Sequence, residues 1–193
     1  MAVSLEKGQK ISLDKTAGSS LTQITMGLGW DVAKSKGFFG FGGGSEDIDL
    51  DASCLMFDEQ AQPVDAIWFA QLTSKDGSIR HSGDNRTGAG DGDDESITVD
   101  LNRVPANVKT LMFTVNSFRG QSFEKVQNAY CRLVNAQNSQ EVAKFNLSCQ
   151  GAHTALIVAK LYRHNGEWKM HAIGETAKGS TFHDLMPQMT AQL

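Results

Sequence analysis

Carboxylates crowd into two short stretches of this chain, and their spacing suits one kind of chemistry, the capture of a hard cation. The longer stretch, Gly83 to Glu95, reads Gly-Asp-Asn-Arg-Thr-Gly-Ala-Gly-Asp-Gly-Asp-Asp-Glu and holds four glycines and five acids: Asp84, Asp91, Asp93, Asp94 and Glu95. Acids at that density repel one another unless a cation or solvent relieves them. Glycine lets the backbone turn its carbonyls inward, and calcium takes six to eight oxygens from side chains and backbone of an adaptable loop. No His or Cys lies in the stretch, so zinc is poorly served. The residues alone leave two readings, a calcium site or a solvated, glycine-rich surface loop.

The second stretch contains Glu46, Asp47, Asp49 and Asp51. Its Asp47-Ile-Asp-Leu-Asp-Ala-Ser53 imitates the opening of an EF-hand, but Ala52 stands at the sixth position and Asp58 at the twelfth, where that loop needs glycine and glutamate. An EF-hand is excluded. Either these acids blunt an exposed edge strand, or Asp49 and Asp51 meet the Gly83–Glu95 loop in space.

An enzyme would have to use the same carboxylates, for example as a two-metal phosphoesterase. His81 and Arg86 are the nearby candidates for a base and a phosphoryl clamp. A lone histidine at a strand end is more often a hydrogen-bonded structural residue, and Arg86 suits pairing with a neighbouring acid. His153, His164, His171 and His183 have no metal-ligand spacing, and no dinucleotide or phosphate-loop fingerprint is present. A non-enzymatic protein without a small-molecule substrate is the expectation, with a metal-dependent hydrolase as the alternative.

The elements that must carry these acids read as short strands. Alternation marks Ile24–Asp31, Ile48–Phe57, Ala66–Leu72, Ile97–Leu101, Thr110–Phe118, Tyr130–Asn135, Val142–Leu147, Ala155–Arg163 and Trp168–Gly174. In the second of these, Leu50, Ala52, Cys54 and Met56 share one face, while the other begins with Asp49 and Asp51 and turns apolar at Leu55 and Phe57. Asp76-Gly77 and Asn165-Gly166 mark turns. Ser122–Asn128 reads as one or two helical turns, and Thr181–Met189 as a terminal helix weakened by Pro187. The pattern predicts an all-β fold with a few short helices: a β-sandwich of two mainly antiparallel sheets, one domain over residues 1–193, with its acidic loops at one end.

Composition agrees. The chain has 193 residues, 40% hydrophobic, and a net charge of −4. Nine of its 22 acids lie in the two acidic stretches, more than one shell of six to eight oxygens uses, so about two ions are expected. The focal acidity speaks against nucleic acid, which wants a basic stripe. Three widely spaced cysteines and the lack of an apolar leader point to a reducing cytoplasm. Phe38, Phe39 and Phe41 in a glycine-rich connection either tuck against the core or form an apolar patch for a partner or a membrane surface.

Gly27-Leu-Gly-Trp-Asp31, Asp47-Ile-Asp-Leu-Asp-Ala-Ser53 and His81-Ser-Gly-Asp-Asn-Arg-Thr-Gly-Ala-Gly-Asp-Gly-Asp-Asp-Glu95 together resemble the TerD family of bacterial tellurite-resistance and stress-response proteins. Leu101-x-x-Val-Pro105, Ser122-Phe-x-x-Val126 and Leu161-Tyr-Arg-x-x-Gly-Glu-Trp168 follow in the family's order. The resemblance implies a calcium-binding β-sandwich, linked to resistance against tellurite, phage and colicins. It implies a scaffold working with other Ter proteins at the inner membrane rather than a tellurite-reducing enzyme. Carried over by position, the implied ligands are Asp49, Asp51, Asp84, Asn85, Asp93, Asp94 and Glu95. Asp31 and Asp91 are lesser candidates, and carbonyls around Gly90 and Gly92 complete the shells.

Overall fold

The computed structural model describes residues 2–32, 49–84, 92–147 and 150–193. The expectations placed on Phe38, Phe39, Phe41, Glu46, Asp47, Ile48, Asn85, Arg86, Gly90, Asp91 and Cys149 lie outside the described residues.

Twelve strands occur among the described residues: β1 (Val3–Leu5), β2 (Lys10–Ser12), β3 (Gln23–Val32), β4 (Leu50–Asp58), β5 (Pro63–Ile67), β6 (Ile79–His81), β7 (Glu95–Asp100), β8 (Val108–Ser117), β9 (Val126–Asn135), β10 (Gln140–Asn146), β11 (Ala155–His164) and β12 (Glu167–Ala177). Two α-helices, α1 (Leu13–Ala17) and α2 (Phe182–Thr190), accompany them. One six-stranded sheet has the order β1-β10-β9-β3-β7-β6 and the other β2-β12-β11-β8-β4-β5. Only β1 and β10 pair in parallel. The fold is the expected β-sandwich.

Period-two alternation explains how the sheets meet. Ile24, Met26, Leu28 and Trp30 of β3 and Leu50, Ala52, Cys54 and Met56 of β4 share one buried cluster between the sheets. The opposite face of β4 is not solvated either. Leu55 and Phe57, with Met112, Ile157 and Ile173, form a second cluster sealed by Phe182, Leu185 and Met189 of α2. That outer layer explains why β4 turns apolar on both faces towards its end. Beside it, a groove of about 400 Å³ between β5 and α2 is lined by Val64, Trp68, Phe182 and Met186, among others.

Several boundaries differ from the sequence pattern. The strand expected at Ala66–Leu72 lies at Pro63–Ile67, because Trp68 and Gln71 pair across a tight turn. Asp65 fixes that turn by accepting from the Ala66 and Lys75 N–H groups and from Gln71 Nε2. The helix expected at Ser122–Asn128 is a single 3-10 turn at Phe123–Lys125, since β9 already begins at Val126. Pro187 sits inside α2 without ending it. The helix is held by its three buried apolar side chains and by Asp184, whose carboxylate accepts from the Ser180 and Thr181 N–H groups at its start. The Asn165-Gly166 turn joins β11 to β12 as expected, with both residues at positive φ. Cys54 and Cys131 are buried and free, and burial pushes both thiols up.

Because α2 covers an apolar sheet face rather than any acidic residue, Leu185→Ala should cost about 2–5 kcal/mol of stability. Denaturant unfolding measures the loss, and cation affinity at the far acids should be unchanged.

Candidate metal centre

Both acidic stretches converge on one end of the sandwich. Asp49 and Asp51 lie at the start of β4, and Asp84 follows β6 by three residues. One oxygen from each of the three lies within 4.8 Å of the other two. Asp49 and Asp51 are each only 6% exposed, whereas Asp84 is exposed. The alternative of a solvated, charged edge strand therefore fails: β4 pairs with β8 at this end, and its acids are buried.

The electrostatics are those of crowded carboxylates. Asp51 Oδ2 is buried without a hydrogen-bond partner. Its carboxyl is pushed up to about 7, first by burial and then by the charges of Glu95, Asp49 and Asp84. The Arg119 guanidinium approaches Asp49 at 3.4 Å from a largely exposed position. Three carboxylates, two of them buried and one with an orphaned oxygen, form an all-oxygen donor set that fits a hard divalent cation.

Glu95 is placed differently from a rim ligand. It is 1% exposed, and its Oε2 accepts the Ala52 N–H at 2.7 Å. The same oxygen lies 3.3 Å from Nε2 of the buried His81. Gly83 N–H donates to His81 Nδ1 at 3.0 Å, which leaves the ring proton on Nε2, facing the Ala52 carbonyl at 3.2 Å. His81 and Glu95 belong to one sheet and Ala52 to the other, so these bonds tie the layers directly behind Asp51. His81 is thereby committed on both ring nitrogens.

Among the described residues, the other expected ligands have protein partners. Asp93 receives Arg132 Nε at 2.7 Å and a second guanidinium nitrogen at 3.1 Å, a paired contact that satisfies its charge. The Tyr130 hydroxyl donates to the Gly92 carbonyl at 2.6 Å, engaging the backbone oxygen expected to face an ion. Asp94 Oδ2 accepts the Trp30 N–H at 2.8 Å, and burial together with the Asp31 charge raises its carboxyl. Asp31 accepts from Asn128 Nδ2 at 2.8 Å. Asp31 and Asp94 both line an open cleft of about 680 Å³ that also includes Trp30, Gly92 and Tyr130.

Arg119, Arg132 and Tyr130 had no role in the sequence reading, yet a signal for two of them exists. In the β3–β9 ladder Gly27 stands opposite Arg132 and Gly29 opposite Tyr130. A Cβ at Gly27 would fall 2.1 Å from an Asp93 oxygen, and one at Gly29 would fall 2.5 Å from the Tyr130 ring. The two glycines are a flat track on which the Asp93–Arg132 pair and Tyr130 lie. Glycines two apart in one strand, facing large polar residues two apart in another, announce such a track.

A family model for the TerD domain matches residues 1–188. The chain belongs to the TerD family. It is 50% identical to the tellurium resistance protein TerZ of Serratia marcescens, over 95% of this chain and 94% of that one. It is 43% identical to the stress response protein SCP2 of Bacillus subtilis (strain 168), over 96% and 98% respectively. A solved TerD homologue from Streptomyces coelicolor A3(2) shares the fold, with a TM-score of 0.70 at 21% identity, covering 89% of this chain and 98% of that one.

The raised carboxyl gives a pH signature. Asp51 holds its proton more tightly in the fold than in the unfolded chain. Its contribution to stability is therefore whole below about pH 4 and is lost as pH rises through about 7. In chelator the melting temperature should fall between about pH 4 and about pH 7, and Asp51→Asn should remove most of that slope. Thermal melts across pH measure it; equal slopes would contradict the assignment.

Proposed function

We propose that this TerD-family protein is a calcium-binding, non-enzymatic scaffold in tellurite resistance and stress response, acting in the cytoplasm with other Ter proteins near the inner membrane. The observation that carries the cation reading is the buried, unpartnered Asp51 oxygen beside Asp49 and Asp84. These three residues would hold the ion, with Asp31 and Asp94 of the open cleft as the place for a second. Calcium supplies charge neutralisation and a preference for oxygen donors of adaptable geometry; magnesium demands tighter octahedral order. The biological setting rests on relatives named for tellurium resistance and stress response. Among the described residues no helix is long and apolar enough to cross a bilayer.

A hydrolase needs a base that can reach a substrate. His81 is fully buried and bonded through both ring nitrogens, which counts against that use. The thiols favour scaffold over redox chemistry for the same kind of reason. Nucleophilic cysteines sit in exposed, electropositive surroundings, whereas Cys54 and Cys131 are enclosed and their thiolates disfavoured.

Titration calorimetry should show calcium binding well above magnesium or zinc. At a free concentration ~100 times the dissociation constant, each independent site should stabilise the fold by roughly 2.7 kcal/mol. Asp51→Asn should abolish the triad's share of this, and an unchanged titration would remove the triad from the ligand set.

In cells, a Cys54→Ala, Cys131→Ala, Cys149→Ser variant should retain resistance, while Asp51→Asn with Asp84→Asn should lose it. The opposite result in folded proteins would return the phenotype to thiol chemistry.

A further inference from the structure

Four large apolar side chains are exposed among the described residues, and two of them stand beside the acidic triad. Phe118, 50% exposed, immediately precedes the arginine that contacts Asp49. Leu72, 43% exposed, accepts the His81 N–H through its carbonyl, three residues before Asp84. Phe118 is not a loose side chain. Its ring meets Phe69 edge-on at 5.3 Å, and Phe69 lies 4.6 Å from Trp68, so a braced aromatic shelf supports it. Neither Phe118 nor Leu72 lines the groove beside α2 or the cleft at Trp30. Both are open to solvent.

The charge on the triad's rim decides what it can meet. A divalent cation offsets two of the three carboxylate charges and Arg119 beside Asp49 offsets the third, so the loaded rim no longer repels an anionic surface. Calcium accepts six to eight oxygens, and three carboxylates need not fill that number. The remaining positions suit phosphate oxygens. Arg119, largely exposed and already at the rim, adds a donor of the right charge for a phosphate. Exposed apolar side chains in the segments next to a cation site match the layered chemistry of a lipid interface, phosphate outermost and hydrocarbon beneath.

We propose that, with a divalent cation on Asp49, Asp51 and Asp84, this rim docks on anionic phospholipid bilayers, inserting Phe118 and Leu72 below the headgroups while Arg119 and the cation hold phosphate. The proposal rests on the cation reading above. It uses none of the glycine-rich connection that carries Phe38, Phe39 and Phe41.

The test is co-sedimentation of the full chain with vesicles of equal parts phosphatidylglycerol and phosphatidylcholine, in calcium and in chelator, alongside vesicles of phosphatidylcholine alone. Sedimentation is expected only with the anionic vesicles in calcium. Phe118→Ser with Leu72→Ser should weaken it about tenfold or more, while leaving calorimetric calcium binding without vesicles intact. Val64→Ser should change nothing, because Val64 is also exposed but lies beside the far end of β4. Normal calcium binding without sedimentation would overturn the docking proposal alone, as would equal sedimentation by the Phe118→Ser, Leu72→Ser variant or in chelator. Calcium-dependent capture of a Ter protein through Phe118, with no vesicle binding, would overturn it in favour of a protein interface. Absence of calcium binding in the calorimeter would overturn the cation reading, and the docking proposal with it.

Discussion

The end of the sandwich that carries the acids is organised by one buried polar tie. Glu95 and His81 reach from one sheet to the Ala52 backbone of the other, with nothing exposed on either side chain. A buried carboxylate is costly unless its oxygens are bonded, and here the bonds are to a backbone amide and a ring N–H whose positions are set by two different sheets. Asp51 precedes Ala52 and inherits that placement. The tie also puts the Glu95 charge behind Asp51, where it helps to raise the neighbouring carboxyl.

Not all acids of the two stretches do the same work. Asp49, Asp51 and Asp84 converge with one buried oxygen unpartnered, whereas Asp93 is neutralised by Arg132 and held against the glycine track of β3. The Asp93–Arg132 pair fixes the segment leading into β7, and Glu95 lies two residues further on. The paired Arg132 contact thus satisfies Asp93, whereas Asp51 keeps an unpartnered oxygen among crowded carboxylates that could hold a metal ion.

Much of this was legible because local periodicity and global packing agree. The alternation of β4 carries both clusters, since Ala52, Cys54 and Met56 face the other sheet while Leu55 and Phe57 face α2. The concentration of charge around Asp49, Asp51 and Asp84 is likewise a local fact. What escaped depends on distant partners or on very short elements. Arg132 meets Asp93 across 39 residues of chain. The three-residue strands β1, β2 and β6 are too short to carry a period. The displacement of β5 follows from Asp65 bonding a turn that apolar content alone reads as more strand.

The strands at the margins of both sheets also govern how copies of this protein can crowd together. Three of the four outermost strands, β1, β2 and β6, are three residues long, and the fourth, β5, has five residues and opens with Pro63, which has no N–H to donate. Such margins offer a poor template for strand addition. Two six-stranded sheets are therefore guarded at their margins against zipping strand to strand with further copies, and contacts between copies fall to side chains.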